Sequence, residues 1–493
     1  MSATNGETRL SIPQWRYAPD AWRWVRRFDE RHAAMLFRLR TAKVLPPSFR
    51  VRLLAMGLPS EVVESTLASI RRPGSWPEAW VETAQQFLGD YRRQASARQL
   101  LEAAKERHLA AMSYHVAQLF GAHDARTIRT CRAASASLFQ QAMPYLSPDA
   151  RRVSIPWRNQ VLTAYLQRPA GVTARAGLVV LLNGASTSKE ESFAWAAGFL
   201  RAGLVVLTMD TPGSGEATGI RVPEHDQDDV LDGVFETFRH DPGIDLGQVS
   251  VVGVSLGGTL GIRCAVHDRR IMCAVAVTPP YDPARWIHRA SPILIDQLNM
   301  LASGWQGDPW NVIAPWSLHD IIPSLRSPLL VFGAGRDLVV PPSEAQLLAS
   351  RAGGLATLVW YPAGGHCLYE SIPTWTHEAA TWIASVAAAR AEELQAAGVA
   401  DPAHVAEIAR DQLIAAGTPG DDLFDDDSSA RLLDDDDADY HQDGDYARLV
   451  PPAPREQPRE PVEDTVEAEP GPPQQPRPMI IESRPEDSAL HPD

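Results

Sequence analysis

Six short, continuously apolar segments lie between residues 178 and 361, and helical-looking sequence separates each one from the next. A strand that is apolar on both faces is typical of a parallel sheet that helices cover on both sides. The sequence therefore predicts a doubly wound α/β fold, in which ligands bind outside the carboxyl ends of the strands. The six segments are Leu178–Leu182, Leu204–Thr208, Val249–Val254, Ala274–Val277, Leu329–Phe332 and Thr357–Tyr361.

The chain ahead of these segments has a different character. From about Trp22 to Met143 the apolar residues follow a helical period, which predicts an all-helical N-terminal domain at residues 1–145.

An α/β domain is then predicted at residues 146–396, followed by one further helix at residues 397–417. Alternation over Arg151–Pro156 and Gln160–Gln167 predicts a two-stranded hairpin that turns at Trp157-Arg158-Asn159 and opens the α/β domain.

The net charge of −15 is concentrated at the C-terminal end. Residues 421–493 hold 22 acidic and six basic side chains, whereas the rest of the chain holds 39 acidic and 40 basic ones. The tail, residues 418–493, lacks the apolar periodicity of a packed core and is predicted to be disordered. Met479-Ile480-Ile481 is a candidate docking segment within it. Two interpretations stay open: a solubilising tail, or a tail that binds a protein partner.

Composition also limits the function classes. A near-neutral body with an acidic tail lacks the basic patch that nucleic-acid binding requires. No apolar run reaches about 18 residues, and Met1–Thr8 has neither the basic start nor the apolar core of a signal peptide. We therefore expect a cytoplasmic protein without membrane contact. The cysteines, Cys131, Cys264, Cys273 and Cys367, lack metal-ligand spacing, which argues against a zinc site and against a disulfide framework. The sequence implies no metal or organic cofactor.

The pentapeptide Gly253-Val254-Ser255-Leu256-Gly257 directly follows one predicted strand and precedes a predicted helix. A serine between two glycines at such a turn is typical of the nucleophile elbow of a serine hydrolase. The alternative is a glycine-flanked helix cap, in which Ser255 bonds only to backbone.

A serine nucleophile needs a histidine base and a carboxylate that orients it, here in the chain order Ser, acid, His. Asp337 follows the strand Leu329–Phe332, and His366 follows the strand Thr357–Tyr361. Three strand-end positions in the required order predict a Ser255-Asp337-His366 triad.

The reaction also requires backbone N–H donors for an oxyanion. We expect one from Leu256 and one from the loop that begins at Asn183, with the Ala185 N–H nominated and Gly184 or Ser186 as neighbouring alternatives.

The same loop continues into Ser188-x-x-Glu191, which predicts a capping box and a structural role for Glu190 and Glu191. Lys189 is a candidate for the pocket or for a solvated helix position.

Taken together, these motifs resemble the group of α/β-hydrolases that contains the FrsA-like esterases and 2,6-dihydroxypseudooxynicotine hydrolase. Polyketide-shortening hydrolases of fungi and bacteria are related to this group. The resemblance covers about Trp76–Ala389 and implies an α/β-hydrolase with an N-terminal helical cap. It also implies action on esters or on carbon–carbon bonds next to a ketone, and often a homodimer. The residues that carry it are Asn183–Glu191, Asp210–Glu216, the elbow, and the loops of Asp337 and His366.

In the carbon–carbon hydrolases of this group, an extra acidic residue is thought to assist the leaving group. Asp282 is the nearest candidate by position, although Asp before Pro is also a good N-cap. Trp286, Trp305, Tyr114 and His115 are candidates for lining a substrate pocket, and their alternative is packing in the core.

The sequence thus predicts a serine hydrolase that cleaves an ester or a ketone-adjacent carbon–carbon bond in a bulky aromatic or polyketide-like small molecule, because a covered site excludes long chains. Two alternatives stay open. One is an acyltransferase or cyclase of secondary metabolism with the same triad, and the other is a non-catalytic binding protein that acts through the acidic tail.

Overall fold

The computed structural model describes residues 47–70, 75–119, 125–172, 174–219, 227–287, 313–396 and 479–482. Its N-terminal part is helical, as predicted; the predicted start of this pattern at Trp22 lies outside the described residues. Trp76, Trp80 and Phe139 are fully buried among these helices and form the centre of their core. The helices are α1 Pro47–Ala55, α2 Ser60–Ser69, α3 Trp76–Ser96, α4 Leu100–Ala117 and α5 Ala125–Leu146.

The described strands form one nine-stranded sheet in the order β1-β2-β4-β3-β5-β6-β7-β8-β9. Neighbouring strands are parallel along the row β4-β3-β5-β6-β7-β8. The β1–β2 hairpin pairs antiparallel with one end of this row, and β9 pairs antiparallel with the other. The strands are β1 Arg151–Trp157, β2 Gln160–Gln167, β3 Ala176–Leu182, β4 Val205–Met209, β5 Ile244–Val254, β6 Ile271–Val277, β7 Leu329–Ala334, β8 Ala356–Tyr361 and β9 Met479–Glu482.

All six predicted parallel strands are confirmed, each within a few residues of its predicted bounds. Every residue of β6 and of β7 is buried, as helix coverage on both faces of the sheet requires. This burial explains why the strands are continuous apolar runs in the sequence. The predicted hairpin is also confirmed, since β1 pairs antiparallel with β2 and Trp157 faces Gln160. Its tight turn uses Arg158 at a φ of 52°.

Helices pack on both faces of the sheet. The buried residues of the α/β domain accordingly divide into two hydrophobic clusters, one containing Val180 and Val251 and the other containing Val179 and Val252. Tyr165 of β2 and Phe193 belong instead to the core of the helical region, so the N-terminal helices pack directly against the α/β domain. The helices of the α/β domain are α6 Lys189–Ser192, α7 Ala197–Arg201, α8 Asp232–Phe238, α9 Leu256–His267, α10 Ser343–Arg351 and α11 Ile372–Ala396.

Of the acidic tail, the structure describes Met479–Glu482 alone. These residues form β9, which pairs antiparallel with Thr357–Trp360 of β8. The candidate docking segment Met479-Ile480-Ile481 thus pairs with the chain's own sheet. The predicted helix at residues 397–417 and the acidic runs lie outside the described residues. Within the described part of the chain, no helix has the length and apolar composition needed to cross a bilayer.

Candidate active site

Ser255 stands at the sharp turn between β5 and α9. Its backbone has a φ of 51° and a ψ of −124°, a conformation that costs free energy for any residue with a side chain. Its side chain makes no helix-cap hydrogen bond, so the interpretation of Ser255 as a cap is wrong. The hydroxyl instead points to His366, which lies 111 residues further along the chain.

The two glycines of the elbow are required by close backbone approach. A β-carbon on Gly253 would stand 2.1 Å from the carbonyl oxygen of Gly257, and one on Gly257 would stand 2.5 Å from that of Asn183. The turn therefore has no room for a side chain on either side of Ser255.

The structure brings together the three residues of the predicted triad. His366 Nε2 lies 3.0 Å from Ser255 Oγ, and His366 Nδ1 lies 2.8 Å from Asp337 Oδ2. Because a carboxylate only accepts, Nδ1 carries the proton in the neutral ring, and Nε2 of that neutral form can accept from the serine hydroxyl. The backbone N–H groups of Val339 and Val340 donate to Asp337 Oδ1 and hold the carboxylate in place.

Electrostatics favour the charged form of this histidine. Burial alone lowers the pKa of His366, but the Asp337 carboxylate outweighs it and raises the pKa to about 10. The site is thus built to stabilise the imidazolium that forms when histidine takes a proton from serine.

Thr278, at the end of β6, supports the histidine loop and was not singled out from sequence. Its Oγ1 accepts a hydrogen bond from the Cys367 N–H at 3.1 Å and lies 3.5 Å from His366 Nδ1. Thr278 and the two residues after His366 all have positive φ, 47° for Thr278, 61° for Cys367 and 50° for Leu368. In the sequence, Thr278 is marked only by its position directly after β6, the strand next to β5. This position alone does not distinguish it from residues that serve in packing.

The loop after β3 lies beside Ser255. A β-carbon on Gly184 would stand 3.2 Å from Cβ of Ser255. The buried Asn183 side chain organises the loop, because its Nδ2 donates to the Thr187 carbonyl at 2.6 Å and its Oδ1 accepts from the Thr211 N–H. Leu256 is the first residue of α9, so its N–H has no acceptor within the helix. Ala185 is buried in the same loop.

Lys189 is fully buried, so its interpretation as a solvated helix position is wrong. Its Nζ lies 2.8 Å from Asp210, 2.5 Å from Glu190 and 2.6 Å from Glu216. Burial lowers the pKa of Lys189, but these carboxylates, Asp210 foremost, raise it well above its usual value. The three carboxylates have the spacing of a metal site, yet the ammonium group already occupies the place between them.

The predicted capping box is not formed. Ser188 makes no side-chain cap bond, and Asp210 Oδ1 accepts from the Lys189 N–H in its place. The Glu191 carboxylate instead accepts from Arg52 of α1, with distances of 2.8 and 2.6 Å, and lies 2.8 Å from His115 of α4. Glu191 is thus structural, as expected, but it joins the helical region to the α/β domain.

The candidate pocket residues have other surroundings. Trp286 is buried in the main core of the α/β domain, and Tyr114 is buried among the N-terminal helices with its hydroxyl accepting from Gln85 Nε2. Both positions agree with the alternative of packing in the core. Asp282 is the N-cap of a short 3₁₀ helix, but its carboxylate makes no cap bond and accepts from Ser317 Oγ at 3.0 Å. Trp305 lies outside the described residues.

A serine at a strained turn after the central strand β5, with an acid in the loop after β7 and a histidine in the loop after β8, is typical of the α/β-hydrolase fold. Residues 179–380 match the model described as the alpha/beta hydrolase family. This match confirms the predicted α/β-hydrolase fold class and the family resemblance.

Similar proteins agree with this assignment. "Hydrolyase poxO" of Penicillium oxalicum is 31% identical over 253 residues, which cover 47% of this chain and 58% of the relative. "2,6-dihydropseudooxynicotine hydrolase" of Paenarthrobacter nicotinovorans is 25% identical, over 41% of this chain and 54% of the relative. The chain therefore spans less than two thirds of the length of these curated relatives.

Two solved structures share the fold. The crystal structure of the 2,6-dihydroxy-pseudo-oxynicotine hydrolase matches with a TM-score of 0.59 and 22% identity. The match covers 68% of this chain and 95% of the hydrolase chain. AbyA5 has a TM-score of 0.53 and 19% identity, and covers 75% of this chain and 100% of its own.

Proposed function

We propose that this chain is a serine-nucleophile hydrolase that cleaves an ester, or a carbon–carbon bond next to a ketone, in a bulky small molecule. The observation that carries the proposal is the continuous hydrogen-bonded path from Ser255 Oγ through His366 to Asp337, with distances of 3.0 and 2.8 Å.

In the ester reaction, His366 Nε2 takes the proton from Ser255 as the hydroxyl attacks the carbonyl carbon. The imidazolium then gives this proton to the departing alkoxide, and an acyl-enzyme remains. Water, deprotonated by the same histidine, releases the acid and restores the serine. Asp337 holds the His366 imidazole in the tautomer that these proton transfers require. The N–H groups of Leu256 and Ala185 are the proposed donors to the oxyanion.

The carbon–carbon reaction differs in its leaving group, which departs as a carbanion and is protonated on carbon or stabilised as an enol. The curated relative named for 2,6-dihydropseudooxynicotine supports a ketone-containing aromatic substrate as one candidate class. Transfer of the acyl group to an alcohol or amine instead of water uses the same residues and remains the alternative.

A short-chain nitrophenyl ester and a fluorophosphonate probe test the nucleophile. We expect the wild-type protein to hydrolyse the ester and to take one covalent label, and Ser255→Ala to lose both. Cys273→Ala is the matched control, because this buried side chain bonds Ser250 away from the elbow and should keep activity and label. Equal activity in wild type and Ser255→Ala, together with no labelling of either, would refute the proposal and favour a binding protein.

A further inference from the structure

The oxyanion loop is held by side chains. It forms no ladder of backbone hydrogen bonds, so the carbonyl oxygens of residues 184, 186 and 187 each accept from a side chain. Thr187 Oγ1 donates to the Gly184 carbonyl at 3.3 Å, and Asn183 Nδ2 donates to the Thr187 carbonyl at 2.6 Å. Both donors belong to the loop itself.

The Ser186 carbonyl is held from the helical region. Arg52 of α1, 134 residues earlier in the chain, donates from Nη2 to this carbonyl at 2.9 Å and from Nη1 to Ser186 Oγ at 3.0 Å. Arg52 also donates to the two carboxylate oxygens of Glu191, from Nε at 2.8 Å and from Nη2 at 2.6 Å. One rigid planar group thereby fixes two points of the segment that passes the nucleophile.

The same arginine also faces the histidine loop. Its guanidinium carbon lies 5.6 Å from the ring centre of Tyr369, three residues after His366, and 6.0 Å from that of Phe49. Arg52 is only 5% exposed, and its charge is compensated by the equally buried Glu191. A buried charge that loses its partner is costly, so this arrangement resists displacement.

We propose that Arg52 is a positioning residue for the oxyanion loop, which sets the Ala185 N–H against the reacting carbonyl by clamping Ser186 and Glu191. This inference rests on the proposed function, and it makes α1 a part of the active site. A clamp of this kind acts on the rate: hydrogen bonds that form only as the oxyanion develops depend on donor placement within about 1 Å.

Arg52→Lys keeps the positive charge and removes the planar fork. We expect kcat/KM for the nitrophenyl ester to fall about tenfold to a hundredfold, mostly in kcat. The affinity for a trifluoromethyl ketone, which forms an oxyanion on addition of serine, should fall in the same proportion. The acidic limb of the pH profile should stay in place, because His366 and Asp337 are untouched. Rates are normalised to the fraction of protein that takes the fluorophosphonate label at completion.

Arg132→Lys is the matched control. Arg132 of α5 is also buried, and it bonds the Gly213 carbonyl at 3.1 Å and Gln118, without contact to residues 184–186. Its substitution should lower the free energy of unfolding by a similar amount and leave kcat and ketone affinity within about twofold.

Ser186→Ala provides a second route if Arg52→Lys does not fold. It removes one of the four Arg52 hydrogen bonds and keeps the ion pair, so a loss of about threefold to tenfold in kcat is expected. A kcat for Arg52→Lys or Ser186→Ala within twofold of wild type, or an equal loss in Arg132→Lys, would overturn the positioning role. A wild-type protein that takes no label would instead refute the serine-hydrolase proposal itself.

Discussion

Gly184 lies directly against Ser255: a β-carbon on the glycine would stand 3.2 Å from Cβ of the serine and 3.1 Å from the carbonyl oxygen of Val254. Both distances are tighter than nine in ten real β-carbon contacts. A methyl group at this position would therefore force the loop after β3 and Ser255 apart by a few tenths of an ångström, and the distance between them is sensitive to this one substitution.

Gly184→Ala should reduce kcat for the nitrophenyl ester by about tenfold or more, because the loop must shift by a few tenths of an ångström away from Ser255. KM should change less than kcat, since a hydrogen bond to the oxyanion strengthens as the transition state forms. Gly89→Ala in α3 is the control: its β-carbon meets only the flexible Arg93 side chain at 3.8 Å. That variant should keep full activity, with a stability gain of up to about 1 kcal/mol. Unchanged kcat in Gly184→Ala would argue against an oxyanion role for this loop.

The pH profile should report the raised pKa of His366. The base acts only when neutral, so kcat/KM should rise with pH along an acidic limb that lies above the usual histidine pKa of about 6.5. In Asp337→Asn the carboxylate is lost while burial remains, so the pKa falls and the limb of the residual activity moves to lower pH. A limb at the same pH in both proteins would show that Asp337 does not set the pKa of His366.

The same shift affects stability with a defined sign. Because the folded-state pKa of His366 is raised, its protonated form stabilises the fold below about pH 6.5, and this contribution is lost as pH rises towards 10. The unfolding temperature of the wild-type protein should therefore fall between about pH 6.5 and pH 10 relative to that of Asp337→Asn. Parallel curves for the two proteins would contradict the coupling.

Lys189→Met should destabilise the fold strongly, by about 3 to 5 kcal/mol, because it leaves the buried carboxylates of Asp210 and Glu190 without their cation. Chemical denaturation of the full chain measures this. Lys105→Met is the matched control, since Lys105 is half exposed and pairs with Glu102 on the surface of α4, where an ion pair contributes about 1 kcal/mol or less. Similar losses in the two variants would mean that the buried cluster carries no special stability.

The fold and the convergence of Ser255, Asp337 and His366 were predictable because both depend on local sequence. Each parallel strand is a run that is apolar on both faces, and Ser255, Asp337 and His366 each follow such a run within a few residues. Parallel strands place their carboxyl ends at one edge of the sheet, so three local signals meet there without knowledge of any long-range contact.

The surroundings of Lys189 and Glu191 were not predictable, because their partners come from distant segments. Ser188-x-x-Glu191 satisfies the local capping pattern. Arg52, 139 residues before Glu191, instead binds the Glu191 carboxylate with two charged hydrogen bonds. Lysine and arginine are exposed by default, and only the tertiary structure shows which of them is buried beside a compensating charge.

Asp282→Asn tests whether this residue takes part in carbon–carbon cleavage. The amide oxygen can still accept from Ser317 Oγ, so the fold and the nitrophenyl esterase activity should stay within about twofold of wild type. Cleavage of a β-diketone or an aryl ketone should be equally retained if the carboxylate serves only its contact to Ser317. Ser317→Ala is the control, because it removes that contact and leaves the carboxylate. A loss of ketone cleavage in Asp282→Asn that Ser317→Ala does not share would overturn the structural role and assign Asp282 to the leaving group.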